Sequence, residues 1–273
     1  RQAPEFCPDM KDMLLALWRY RHFILRAIGN DLRTRFTRSR LGAVWLILQP
    51  LAQSAIYALI LSRVLAARLP VIKSRYAYVI YLVAGMLGGS LFAEVVMRCL
   101  TIFVDNGNLM KKIVFPRMCL PLVVSGSALV NNLFLLGATL GIYLLIGNEP
   151  TVMWLWLPVL IVLTLAFALG FGLVLGVLNV FIRDVSQVMV VLLQLWFWLT
   201  PVVYMASVLP GPAHALMHLN PMYQMVTAFQ QTLLWNHAPS IKGLLGVAVL
   251  SVVLLGIALV LFRRSSPDMV DVL

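Results

Sequence analysis

Charge is scarce in this chain, and acid scarcer still. Only 11% of the 273 residues are charged, with ten Asp and Glu against 21 Lys and Arg. Hydrophobic residues make up 62% and the mean hydropathy is +0.94. Soluble domains carry about a quarter charged residues, so this composition describes a polytopic membrane protein, long enough for roughly five to seven helices. The apolar runs are continuous rather than alternating, which argues against a transmembrane β-barrel. A net charge of +11 invites a nucleic-acid reading. Lys and Arg retained on the cytoplasmic side account for it more simply, and no nucleic-acid partner is expected.

Catalytic and metal-binding signatures are missing as well. Cys7, Cys99 and Cys119 are far apart with no CxxC spacing, so neither a disulfide framework nor a zinc site is indicated. No GxxxxGK[ST] loop is present, which excludes ATP binding by a Walker motif on this chain; GxSxG and HExxH are absent too. The acids are Glu5, Asp9, Asp12, Asp31, Glu94, Asp105, Glu149, Asp184, Asp268 and Asp271. Of these only Glu94 lies near an apolar span, with Arg98 at the i,i+4 distance of a helical ion pair. Ion-coupled transporters need ionisable or polar coupling sites within the bilayer, and here the stretches 118–148 and 150–182 carry no charge. His214 and His218 share an i,i+4 spacing, but 185–241 holds no carboxylate. Polar tips on an external helix are therefore a plainer reading than a metal site. No metal is expected, and no cleavable signal peptide is expected within the polar first 40 residues.

Against this background the segment 33–50, RTRFTRSRLGAVWLILQP, organises the chain. Arg33, Arg35, Arg38 and Arg40 crowd into eight residues, then 41–62 is free of charge. A basic cluster abutting an uncharged run marks the cytoplasmic end of a membrane helix, and arginine also suits phosphate. Before it, 11–28 reads as an amphipathic helix, begun by Pro8-Asp9 and stopped by Gly29-Asn30. Asp12, Arg19, His22 and Arg26 share one face; Leu14, Leu17, Trp18, Ile24, Leu25 and Ile28 share the other. That pattern fits a helix lying in the membrane surface, or one packed on a soluble partner. Asp31 is read as the cap of a further short turn leading into the arginines.

Charge-free gaps give spans at about 42–65, 76–98, 118–147, 151–181, 185–204 and 242–262. The segment 205–239 is punctuated by Pro210, Gly211, Pro212, Asn220, Pro221 and Pro239, and reads as a broken, re-entrant hairpin sheltered by protein. The organisation is thus a basic cytoplasmic segment 1–40, a six-span domain 41–264 and a cytoplasmic tail 265–273. With both termini inside, sixteen Lys and Arg fall on the cytoplasmic side and five outside, satisfying the positive-inside rule. The exception is the external loop 63–75, with four basic residues and no acid.

If no ion drives transport, energy comes from a separate subunit. The loop 101–117, TIFVDNGNLMKKIVFPR, is the best docking element, although an ordinary solvated loop fits its spacing equally well. Trp196, Phe197, Trp198 and Tyr204 enrich the fifth span in aromatics. Belt residues facing lipid are one reading; a surface on which sugar rings stack is the other.

Five segments in order, RSRLGAVWLILQPL, NGNLMKKIVFPRMCLPL, NVFIRDVSQ, WFWLTPVVY and LNPMYQM, resemble the permease subunits of bacterial polysaccharide exporters of the type-2 ABC transporter family. The resemblance runs from about Arg33 to the sixth span. It implies an all-α membrane protein with six transmembrane helices, an N-terminal interface helix and a periplasmic re-entrant hairpin between helices five and six. It further implies a homodimer in the bacterial inner membrane, with membrane lipids around it and two copies of a separate ATPase that holds the ATP and Mg. This chain itself holds no cofactor and is not an enzyme. Carried onto this sequence, the resemblance makes Arg33, Arg35, Arg38 and Arg40 candidates for the pyrophosphate of an undecaprenyl-diphosphate-linked glycan. Trp45, Trp196, Trp198 and Tyr204 become candidate channel aromatics. Asn106, Asn108, Leu109, Lys111, Lys112 and Phe115 become the ATPase-coupling element. Glu94 with Arg98, and Arg183 with Asp184, are read as helix-end ion pairs.

The function expected is therefore export of a lipid-linked polysaccharide, O-antigen first. Alternatives are a related exporter of capsular polysaccharide, teichoic acid or a small lipid or drug. From another class, the alternative is a membrane enzyme of lipid or glycan assembly acting through His214, His218 or Glu94.

Overall fold

The computed structural model describes residues 19–36, 42, 44–45, 47–49, 51–53, 55–56, 77–107, 119–145, 150–205 and 217–272. Among the described residues the protein is helical, with no strand. The helices are α1 (Arg21–Phe36), α2 (Ala77–Asp105), α3 (Cys119–Leu145), a 3₁₀ turn (Val152–Leu155) leading into α4 (Trp156–Phe181), α5 (Asp184–Leu199), α6 (Pro221–Leu234) and α7 (Ile241–Val272). Among the described residues four stretches are long and apolar enough to cross a membrane: Tyr78–Asp105, Cys119–Leu144, Val152–Phe181 and Ile241–Ser265. α5, at 16 residues, is shorter. Most of 42–65 lies outside the described residues.

α2 is the central post. It is buried along most of its length and packs against α3, α4 and α6. Small residues allow the close approaches that membrane helices need. On α4 a side chain at Gly172 or Gly176 would run into Cys99 of α2, and on α2 one at Gly88 would collide with the Phe229 ring of α6. Between these contacts Phe92 stacks on Phe167 at 5.3 Å, and Trp196 meets both Phe92 and Phe171 edge-on. Polar side chains within the helices turn back onto their own backbone: Ser127, Thr139, Thr164 and Ser251 each donate to the carbonyl four residues earlier. A hydroxyl in an apolar surround is satisfied in this way without a partner helix.

Two boundaries differ from the sequence reading. Gly29-Asn30 does not end the N-terminal helix; α1 runs through it to Phe36. Asp31 is consequently not the cap of a new turn but a mid-helix residue whose carboxylate is bonded to Arg98. Tertiary contacts override the weak local stop. Likewise α2 continues past Arg98 to Asp105, taking residues 101–105 of the loop into the helix. Ile102 and Phe103 are buried there, and Phe103 stacks on Phe262 of α7.

Candidate functional site

Two polar junctions stand out among the described residues, one toward each end of α2. The first is built around Arg98. Its Nη2 donates to Asp31 Oδ2 of α1 at 2.8 Å, and its Nη1 donates to Ser127 Oγ of α3 at 2.8 Å. Glu94 Oε1, one turn earlier on α2, lies 3.8 Å from Nη1 and accepts from Asn131 Nδ2 at 2.8 Å. Three helices thus meet on one guanidinium whose side chain is 18% exposed. Arg33 follows two residues after Asp31 and is exposed. The side chain of Arg35 and the whole of Arg38 and Arg40 lie outside the described residues.

The second junction holds the chain where α5 stops. Thr200 closes the helix, and 200–205 follows as irregular backbone whose buried carbonyls are bonded from α2 and α6. Such backbone survives in an apolar environment only where side chains satisfy it. Tyr78 donates to the Val203 carbonyl at 2.8 Å, and the Tyr81 hydroxyl lies 2.9 Å from the Pro201 carbonyl and 2.7 Å from that of Tyr204. Gln230 of α6 donates to Pro201 at 3.1 Å. Asn220 caps α6, accepting from the Met222 N–H at 3.0 Å, and its amide donates to Thr200 Oγ1 at 3.1 Å.

The aromatic candidates part company at this junction. Trp196 is turned into the protein, with its indole N–H on Asn220 Oδ1 at 2.9 Å. Trp198, two residues on, is 56% exposed, and Tyr204 donates to its carbonyl. Trp45 is also exposed. α5 presents a long open apolar face, with Val188, Val191, Leu192, Leu195, Trp198 and Leu199 exposed and Met189 alone buried.

At the other end of α5, Arg183 and Asp184 stand exposed at the join with α4. No ion pair joins them among the described residues; Asp184 sits in the first turn of α5, where a carboxylate favours the helix N-terminus. The join is held instead by Asn179, which donates to the Leu100 carbonyl and accepts from the Ser186 N–H. At the end of α2, Asn106 folds back onto the Ile102 carbonyl. Asn108, Leu109, Lys111, Lys112 and Phe115 lie outside the described residues, as does His214. His218 is exposed and edge-on to Tyr223. Among the described residues no group of three His, Cys, Asp or Glu is placed to hold a metal ion.

Comparison with known proteins agrees with a helical bundle built for transport. Residues 25–234 match the family described as ABC-2 type transporter. The chain belongs to the ABC-2 type transporter family. It is similar to the O-antigen export system permease protein RfbA of Myxococcus xanthus, 29% identical over 257 residues, covering 93% of this chain and 96% of that protein. It is also similar to a protein of the same name from Klebsiella pneumoniae, 27% identical over 207 residues, 74% and 76% of the two chains. As an ABC-2 permease the chain is a non-catalytic transport subunit that works with an ATPase, and it is a multi-pass membrane protein.

Sequence reasoning named Arg98, Glu94 and Trp196 but missed their partners. Asp31, Ser127, Asn131, Asn220, Gln230, Tyr78 and Tyr81 complete the two junctions. For Asn131, Asn220, Gln230, Tyr78 and Tyr81 the available signal is an amide or phenol side chain inside a long uncharged run.

Proposed function

We propose that this ABC-2 permease exports lipid-linked O-antigen across the bacterial inner membrane. The observation that carries the reading is the similarity to an O-antigen export permease along 93% of the chain. In this reading six spans, with 42–65 as the first and 185–204 as the fifth, make one subunit of a homodimer. Two ATPase subunits engage 101–117 from the cytoplasm, and 205–239 forms the periplasmic re-entrant region. Both termini are cytoplasmic.

The undecaprenyl-diphosphate carrier enters beside Arg33, Arg35, Arg38 and Arg40, whose planar forks suit a pyrophosphate. The glycan then slides between two copies of the chain. The exposed face of α5 supports this path: from Val188 to Leu199 it holds no charge and is mainly apolar, it carries Trp198, and Trp45 is exposed on the first span. Aromatic faces stack on sugar rings, and a surface without fixed charge does not trap a hydrated polymer. Trp196 supports that surface from behind, through Asn220 and the Phe92–Phe171 stack.

Deleting the gene tests the reading. Surface O-antigen should vanish while lipid-linked glycan accumulates inside, and the restored gene should reverse both. Unaltered surface O-antigen would refute it.

A further inference from the structure

α4 and α7 pack closely at one point: a side chain at Gly170 of α4 would collide with Leu254 and Leu255 of α7. Toward their first turns they leave between them a groove of about 590 Å³, lined from Trp156 to Ala166 on α4 and from Ile241 to Ala248 on α7. The two helices therefore run in the same direction and begin at the same end of the groove. Its size falls within the roughly 300–1,000 Å³ of small-molecule sites. Every lining residue is apolar, and the small side chains of Ala166 and Ala248 leave the space unfilled.

Both helices are candidate membrane spans from these first turns onward, so the groove opens on lipid. Ile241 to Ala248 rises about 10 Å along the helix axis, about two thirds of the roughly 15 Å of hydrocarbon in one leaflet. The groove thus has the length and the chemistry of a fatty-acyl chain running in from the membrane surface. Trp156 at its outer end suits the interfacial level.

Beside that end stands Lys242, exposed on the first turn of α7. It is the one Lys, Arg, Asp or Glu between Asp184 and Arg263, and no acid occurs between Asp184 and Asp268. Among the described residues it forms no ion pair or hydrogen bond. Successive residues step about 100° around a helix. Lys242 therefore stands between the groove face, carried by Ile241 and Leu245, and Gly243, where the Gln224 amide of α6 abuts the helix. A lysine stem lies along apolar surface while its ammonium stays at the water's edge. That is the level of a phosphate whose acyl chain occupies the groove.

We propose that the groove is a binding site for an anionic phospholipid, with one acyl chain between α4 and α7 and the phosphate on Lys242. The chain fills space that neither helix fills. The headgroup supplies the counter-charge that residues 185–267 lack, which a zwitterionic headgroup, bringing its own cation, does not. The site is independent of the polymer exported.

Quenching by chain-brominated lipid reads the site. A fluorophore is attached at Val249, exposed about two turns beyond Lys242 on α7, by Val249→Cys with Cys7→Ser; Cys99 and Cys119 are buried. The permease with its ATPase is reconstituted in phosphatidylcholine vesicles that contain brominated phosphatidylglycerol or, in parallel, brominated phosphatidylcholine. Phosphatidylglycerol should reach half-quenching at an about fivefold lower fraction, the ratio that about 1 kcal/mol per basic residue gives. Lys242→Gln should bring that ratio to one and Lys242→Arg should keep it. Ala248→Phe, which fills the groove, should also bring it to one with Lys242 intact. A label at Leu144, exposed on α3, should show no preference. Equal quenching by the two lipids at Val249, a preference that survives Lys242→Gln or Ala248→Phe, or the same preference at Leu144 would overturn the proposal. So would a Val249 label quenched by neither lipid, since a second copy of the chain then covers the groove. Lys242 is exposed, so its variants decide the matter even where Ala248→Phe does not fold.

Discussion

Trp196 donates its indole N–H to Asn220 Oδ1 at 2.9 Å, tying the last turn of α5 to the N-cap of α6 across 24 positions of sequence. The same amide caps α6 and bonds Thr200. Asn220→Ala removes all three and should destabilise the protein by about 2–3 kcal/mol. Asn220→Asp keeps the two accepted bonds and should cost about half as much. Thermal unfolding in detergent separates the two; an alanine variant as stable as the parent would contradict the junction.

The clamp on the break after α5 gives a ranking. Tyr81→Phe removes the hydroxyl shared by the Tyr204 carbonyl and the Pro201 carbonyl, of which only Pro201 keeps another donor, Gln230, and should cost about 1.5–2 kcal/mol. Tyr78→Phe affects only Val203 and should cost about 1 kcal/mol. Denaturant or thermal midpoints of the two single variants check the order.

Neighbouring tryptophans should behave oppositely. Trp196→Ala opens a void beside Phe92 and Phe171 and should cost about 3 kcal/mol of stability. Trp198→Ala touches an exposed side chain and should leave stability within about 0.5 kcal/mol. Yet it is the one expected to slow export while the complex still assembles. A normal export rate in Trp198→Ala removes it from the glycan path.

How far the sequence could be read follows from these same residues. α2, α3, α4 and α7 are legible because each contains a long uncharged run, and length alone separates such runs from strands and loops. Their ends were less legible, because a lone cation was taken for a rim. Arg98 is not at a rim: Asp31, Glu94 and Ser127 satisfy it, and α2 runs on for two more turns. Gly29-Asn30 looked like a helix stop because local propensity was the only information available. What carries α1 through it is Ile28 in the Gly126 notch and Asp31 on Arg98, contacts with residues about a hundred and 67 positions away. Trp196 and Trp198 are indistinguishable by composition. Which of them faces inward depends on the rotation of α5, and Asn220 helps to fix that. The amide and phenol groups of the clamp carry no charge, so the charge pattern of the sequence does not mark them.

The docking loop offers a prediction that needs no substrate. Lys111→Glu with Lys112→Glu reverses two charges in the segment read as the ATPase contact, and should reduce co-purification of the ATPase with the permease. Retention of the ATPase at the parent's level would move the contact elsewhere.

Transport itself decides the central claim. The permease and its ATPase are reconstituted in liposomes with the ATPase outward, and undecaprenyl-diphosphate-linked O-antigen is supplied in the outer leaflet. ATP should move glycan into the lumen, so that the fraction protected from added glycosidase rises with ATP and not with a non-hydrolysable analogue. A protected fraction identical with and without ATP would contradict the account.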